Sequence, residues 1–157
     1  MSSPDPYRPP QAPVADSERA RGAPVKGMVF GVLVDIGGSF AAAIALSFAY
    51  GIWLAMSGMG ASEIEQSLTQ REPDSTFAIV GYVVGTAFSW LGGYVCARTA
   101  RETELKCAAV VAATSCVAGL LLSTDLPFEL NLLLIVLTVG AVMLGGWMGK
   151  RLNERQP

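Results

Sequence analysis

The stretch GMVFGVLVDIGGSFAAAIALSFAYGIWLAMS, Gly27 to Ser57, carries a single charged residue, Asp35. An α-helix rises 1.5 Å per residue, so crossing a hydrocarbon core of about 30 Å takes roughly 20 apolar residues. The run exceeds that length, and it is about twice the roughly 7–15 residues of a cleavable signal sequence, so it reads as a retained membrane span. Before it lies the polar segment Met1 to Lys26, which holds six of the nine prolines and reads as an extended, disordered cytoplasmic tail.

Three further runs, Phe77 to Ala97, Cys107 to Thr124 and Leu130 to Gly149, contain no charge at all. Backbone groups in lipid must be satisfied within their own segment, so these runs are helices. The 157 residues are 52% hydrophobic and 15% charged, with a mean hydropathy of +0.44. That is more apolar surface than one small soluble core needs. The fold expected is all-α, an integral membrane four-helix bundle with spans near 28–56, 77–97, 106–124 and 130–149, then a short tail over 152–157.

Composition narrows function by exclusion. Net charge is −2 and no basic block exists outside the tail and loops, so nucleic-acid binding has no electrostatic basis. There is no histidine, which removes the commonest general base and metal ligand together. Cys96, Cys107 and Cys116 show no C-x-x-C spacing and read as small apolar residues. Ser39, Ser89, Ser115 and Thr138 lie in spans that hold no lysine or histidine to activate them, so they read as helix-to-helix hydrogen-bonding groups. No enzyme activity, cofactor or metal is expected.

Ten of the eleven basic residues fall beside three segment ends: Arg8, Arg19, Arg21 and Lys26; Arg98, Arg101 and Lys106; Lys150, Arg151 and Arg155. Only Arg71 lies on the other side. This bias places both termini and the middle loop in the cytoplasm and the bundle in the plasma (inner) membrane. The opposite loop, Gly58 to Thr76, contains Ser62-Glu63-Ile64-Glu65, a capping-box pattern that predicts a short helix from Ser62 ending before Pro73, with Ile64 and Leu68 turned inward.

Helices in lipid associate through close approach of small side chains. The first span repeats Gly31, Asp35, Gly38, Ala42, Ala45 and Ala49 at steps of four and three. The second offers Gly81-x3-Gly85 and Ser89-x3-Gly93. The third offers Ala109, Ala112, Cys116 and Gly119, and the fourth Ala141-x3-Gly145-x3-Gly149. Gly38, Ala42, Gly81, Gly85, Ala112, Cys116, Ala141 and Gly145 are the packing positions these seams nominate. Gly92-Gly93-Tyr94-Val95-Cys96-Ala97-Arg98 and Gly145-Gly146-Trp147-Met148-Gly149-Lys150-Arg151 end their spans alike. Either two helical hairpins are parallel repeats, or each end simply collects the glycine, aromatic and basic residues that an inner interface favours.

The polar N-terminal tail, the four spans and the Gly92 to Arg98 ending together resemble small four-span bacterial inner-membrane proteins of unknown function. The resemblance covers about the last 130 residues. It implies a bacterial plasma-membrane setting and no activity.

Asp35 is the one ionisable residue inside a span, and a carboxylate at a helix centre costs roughly 2.5–3.5 kcal/mol on insertion scales. The Gly27–Ser57 run is longer than the bilayer, so two depths are open. At the interface Asp35 would pair with Arg98, Lys106 or Lys150 and fix the register of the bundle. About 10 Å deeper it would be a protonatable site in a carrier. Small multidrug transporters also have four spans and an acidic residue in the first. This chain departs from them in having Asp instead of Glu, a long acidic outer loop and a strong charge bias. Two functions follow. One is a non-enzymatic structural or accessory component that associates with itself or with another membrane protein in the lipid bilayer. The other is a small proton-coupled solute transporter using Asp35.

Overall fold

The computed structural model describes residues 23–69, 75–101, 103–122 and 126–155. The expected tail lies outside these residues up to position 22; Pro24 to Lys26 already belong to a helix. Helix α1 (Pro24–Val32) opens on a proline, whose fixed φ and missing N–H suit a first helical turn. It runs through a π-helical turn, Leu33–Gly37, into α2 (Gly38–Met56). The continuous segment Pro24–Met56 is 33 residues, about 50 Å at 1.5 Å per residue. After it come α3 (Ala61–Thr69), α4 (Thr76–Ala100), α5 (Glu104–Leu122) and α6 (Phe128–Glu154). Four of these segments are long and apolar enough to span a membrane, and together they form an all-helical bundle.

The helix boundaries follow local chemistry. Ser75 caps α4 by accepting a hydrogen bond from the Ala78 amide at 3.3 Å. The outer-loop helix starts one residue earlier than its sequence pattern suggests. Glu63, not Glu65, reaches back, its Oε2 accepting from the Gly60 amide at 3.0 Å, so Gly60 holds the cap position and Ser62 lies inside the helix. Ile64 and Leu68 are half-buried; Pro73 lies outside the described residues. At the other end of the chain α6 continues to Glu154, so the expected tail from 152 is still helical.

The bundle is tight at one end and loose at the other. The tight end, where α1 begins, α4 ends and α6 ends, holds the core: Cys96, Ala100, Cys107, Ala108, Val111 and Val142 are almost fully buried. Glycines make this possible because backbone meets backbone. A Cβ on Gly93 would enter the Val142 carbonyl, and one on Gly145 would enter the Trp90 carbonyl. One on Gly27 would sit 2.8 Å from the Cys96 oxygen. Large side chains point outward instead: Phe30, Phe48, Trp53, Leu121, Phe128 and Val136 are all exposed. Small residues inside and bulky ones outside is the pattern of helices that associate in lipid.

Toward the far end α2 leans away. The predicted seam holds through Asp35, which is buried with Gly31, and Gly38 is pressed against the Phe88 ring. Ala42 is half-buried, but Ala45 and Ala49 are exposed. The π-helical turn explains the break, because it inserts an extra residue into the turn and shifts every later side chain off the face that Gly31 and Asp35 define. A tilted contact between Tyr50 and Phe77, with ring centroids 4.7 Å apart, ties α2 back to α4 at the far end.

Candidate functional site: a buried carboxylate at the floor of a crevice

Asp35 is only 3% exposed and lies within the π-helical turn. Ser89 Oγ of α4 donates to its Oδ1 at 2.7 Å, and Ser115 Oγ of α5 donates to its Oδ2. Three spans therefore converge on one carboxyl group. The pairing also fixes the level of Asp35 within the bundle. Ser89 is nine residues from Arg98 at the basic end of α4, which is about 13 Å along a helix. That is near the middle of α4, Thr76–Ala100. Hydrogen bonds to a charged group contribute about 1.5–3 kcal/mol each, so the two serines offset much of the burial cost.

Gly92 lets this geometry form. A Cβ there would lie 2.7 Å from the Gly31 carbonyl and 2.8 Å from Asp35 Cβ. Only a residue without a side chain admits the turn that carries Asp35 between α4 and α5.

The three proposed cationic partners are elsewhere, and the interfacial pairing of Asp35 is corrected accordingly. Arg98 Nη1 donates to Asn153 Oδ1 at 3.1 Å, and Lys150 pairs with Glu154 at 3.8 Å. Lys106 is exposed on α5, nine residues from Ser115. The basic end has its own polar clamp, which the sequence reading missed. Asn153 Nδ2 donates to the Ala97 carbonyl at 3.0 Å and to Glu104 Oε1 at 3.3 Å, tying α4, α5 and α6 together. No spacing rule marks a single asparagine near a chain end as such a node.

From Asp35 an open crevice of about 320 Å³ runs between α2, α4, α5 and α6 toward the far end. Its floor is Asp35 with Ser89 and Ser115, its walls include Phe40, Tyr82 and Ile135, and Leu126 and Asn131 also border it. From Ser115 to Leu122 is seven residues, so the crevice is about 10 Å long. Ser39, Thr86 and Thr138 also line it. Thr86 Oγ1 is turned back to the Tyr82 carbonyl at 2.7 Å.

The crevice also explains which nominated packing positions pack. Ala112, Ala141 and Gly145 are buried in the tight end. Gly81 and Gly85 line the crevice with nothing within 4 Å of where a Cβ would stand, so their G-x-x-x-G spacing makes no helix contact among the described residues. In α5 the buried face is Ala108, Val111, Ala112 and Ser115, while Ala109 is exposed and Gly119 borders the crevice. The Gly-Gly doublets are the true contacts. Gly92 meets α1, Gly93 meets α6, Gly145 meets α4 and Gly146 meets α5. All three cysteines are free; Cys96 and Cys107 are core residues, and Cys116 is half-buried beside the crevice.

No family model, curated relative or solved structure matches the chain. The bundle and its crevice therefore stand on their own chemistry, as those of a multi-pass helical membrane protein.

Proposed function

We propose that this protein binds a small solute in the crevice above Asp35 and acts as a proton-coupled carrier. The observation that carries this reading is that a nearly buried carboxylate, held by hydroxyls from two other spans, forms the floor of an open crevice. A carboxylate serving only as a register pin has no need of a cavity above it. Intramembrane acids of this kind mark ion and substrate paths by default, and a π-helical turn is a common feature of functional sites. The charge bias supports cytoplasmic termini in the plasma membrane, with the crevice opening outward. The hydroxyls hold Asp35 and have no base to activate them, so the activity proposed is not enzymatic.

Infrared spectroscopy over a range of pH tests the carrier. Asp35 should interconvert between acid and carboxylate, with a carbonyl band that Asp35→Asn removes. A carboxyl group that keeps one form throughout would leave a static clamp and defeat the proposal.

A second reading, an accessory subunit, is favoured by one observation. An apolar groove runs along α2 past Ile44, Phe48 and Ile52 to Leu68 of α3. Cross-linking in native membranes checks it, because an accessory subunit yields one stoichiometric membrane partner and a self-contained carrier yields none beyond copies of itself.

A further inference from the structure

The chemistry of the crevice also restricts what can enter it. We infer that its ligand is a small organic monocation, with an ammonium head on Asp35 and an apolar body between Phe40 and Tyr82; this rests on the solute-binding reading above. Among the described residues that line the crevice, Asp35 is the only charged one. An anion would meet uncompensated negative charge at low dielectric, and a neutral solute would leave the carboxylate without a counter-charge. One carboxylate balances one positive charge.

The hydrogen bonds leave room for such a head. A carboxylate offers about four lone-pair sites. Ser89 and Ser115 use one on each oxygen, so two acceptor sites remain for N–H donors. A hard metal ion fits less well, because it needs a cage of six or more oxygens. Here the floor brings together four oxygens, two from Asp35 and one each from Ser89 and Ser115, fewer than such a cage.

The walls match an organic body. Ile36, Phe40, Ala43, Leu134 and Ile135 offer apolar surface that a hydrated metal ion gains nothing from. Phe40 and Tyr82 add aromatic surface for that body. The volume of about 320 Å³ is at the small end for ligand sites. At roughly 30 Å³ per water-sized unit it holds about ten non-hydrogen atoms.

Cys116 supplies a native reporter, since it borders the crevice while Cys96 and Cys107 are sealed in the core. The full chain in nanodiscs would be treated with the cationic trimethylammonium-ethyl and the anionic sulfonato-ethyl methanethiosulfonates. Cys116 should react faster with the cationic reagent, on the order of tenfold after correction for their rates with free cysteine. Asp35→Asn should abolish the preference. Benzylammonium should slow the reaction in wild type and neutral benzyl alcohol should not, a comparison that needs no variant. Equal rates without protection overturn the inference and leave the carrier reading to its infrared test. Protection by sodium ion, with none added by benzylammonium, makes the floor a metal-ion site and also overturns it. Inertness of Cys116 to both reagents in folded protein, with labelling after unfolding, closes the crevice to water and removes the solute-binding reading as well.

Discussion

Replacing Gly145 by alanine should damage this bundle far more than the same change at Gly81, although both glycines sit in a small-x-x-x-small pattern. The Gly145 position faces the Trp90 carbonyl and has the Tyr94 amide nitrogen 2.9 Å from where Cβ would stand. An ordinary contact at that atom is near 3.4 Å or beyond, and the obstacle is backbone, so no rotamer change relieves it. The α4–α6 pair has to separate, and Gly93 against Val142 and Gly149 against Ala97 lie on the same interface. Overpacking of a well-filled core costs typically about 1–3 kcal/mol, with backbone obstacles at the upper end. Helix propensity returns roughly 0.5–1 kcal/mol of this in alanine's favour. The net loss expected at Gly145 is therefore about 1–2 kcal/mol or more. At Gly81 nothing stands within 4 Å, so only the propensity gain of roughly 0.5–1 kcal/mol operates. Reversible unfolding of the two variants in one detergent, read by circular dichroism, should place them on opposite sides of wild type. Equal destabilisation at both positions would mean that Gly81 has a helix against it, as in a dimer, and would refute the assignment of packing to the Gly-Gly doublets.

Two further outcomes test the polar contacts. Ser89→Ala and Ser115→Ala each remove one donor to Asp35 and should each destabilise by about 1.5–3 kcal/mol. The double variant should depart from additivity because both act on one carboxylate, and a strictly additive cycle would argue that the serines do not share it. Asn153→Ala unties Arg98, the Ala97 carbonyl and Glu104 at once. Hydrogen exchange should then quicken in the last turns of α4 and α6 while the Ser89 region keeps its protection. Unchanged exchange would remove Asn153 as a clamp.

Much of the bundle was legible because membrane physics imposes it. The three uncharged runs and the long first run set the number of helices, since no other element satisfies a backbone in lipid. The lower part of the first seam, Gly31 and Asp35, and the whole Ala141, Gly145 and Gly149 series were legible from spacing alone. What failed in the first seam has one physical source. A seam drawn at steps of three and four assumes an unbroken α-helix, and nothing in LVDIG announces a π-helical turn. Beyond that turn Ala45 and Ala49 face outward, and the half of α4 opposite them, with Gly81 and Gly85, borders space instead of a helix.

The depth of Asp35 was illegible for a different reason. A mostly apolar run of 31 residues with one charge is compatible with any vertical offset that keeps about 20 of them in hydrocarbon. The offset is fixed only by partners, and the partners are serines, which carry no charge to reveal themselves in a count of ion pairs. Arg98, Lys106 and Lys150 were the natural candidates by charge, yet pairing with them would hold Asp35 at the interface, about 13 Å from the Ser89 level. Gly92 decides between these positions. Its bare Cα lets the turn carrying Asp35 close onto α4 at that level, where Ser89 is one helical turn away on the same face. A methyl group at position 92 would push that turn outward, and the carboxylate would lose both hydroxyls together. The glycine read as part of an interfacial end signal is thus the residue on which the buried site depends.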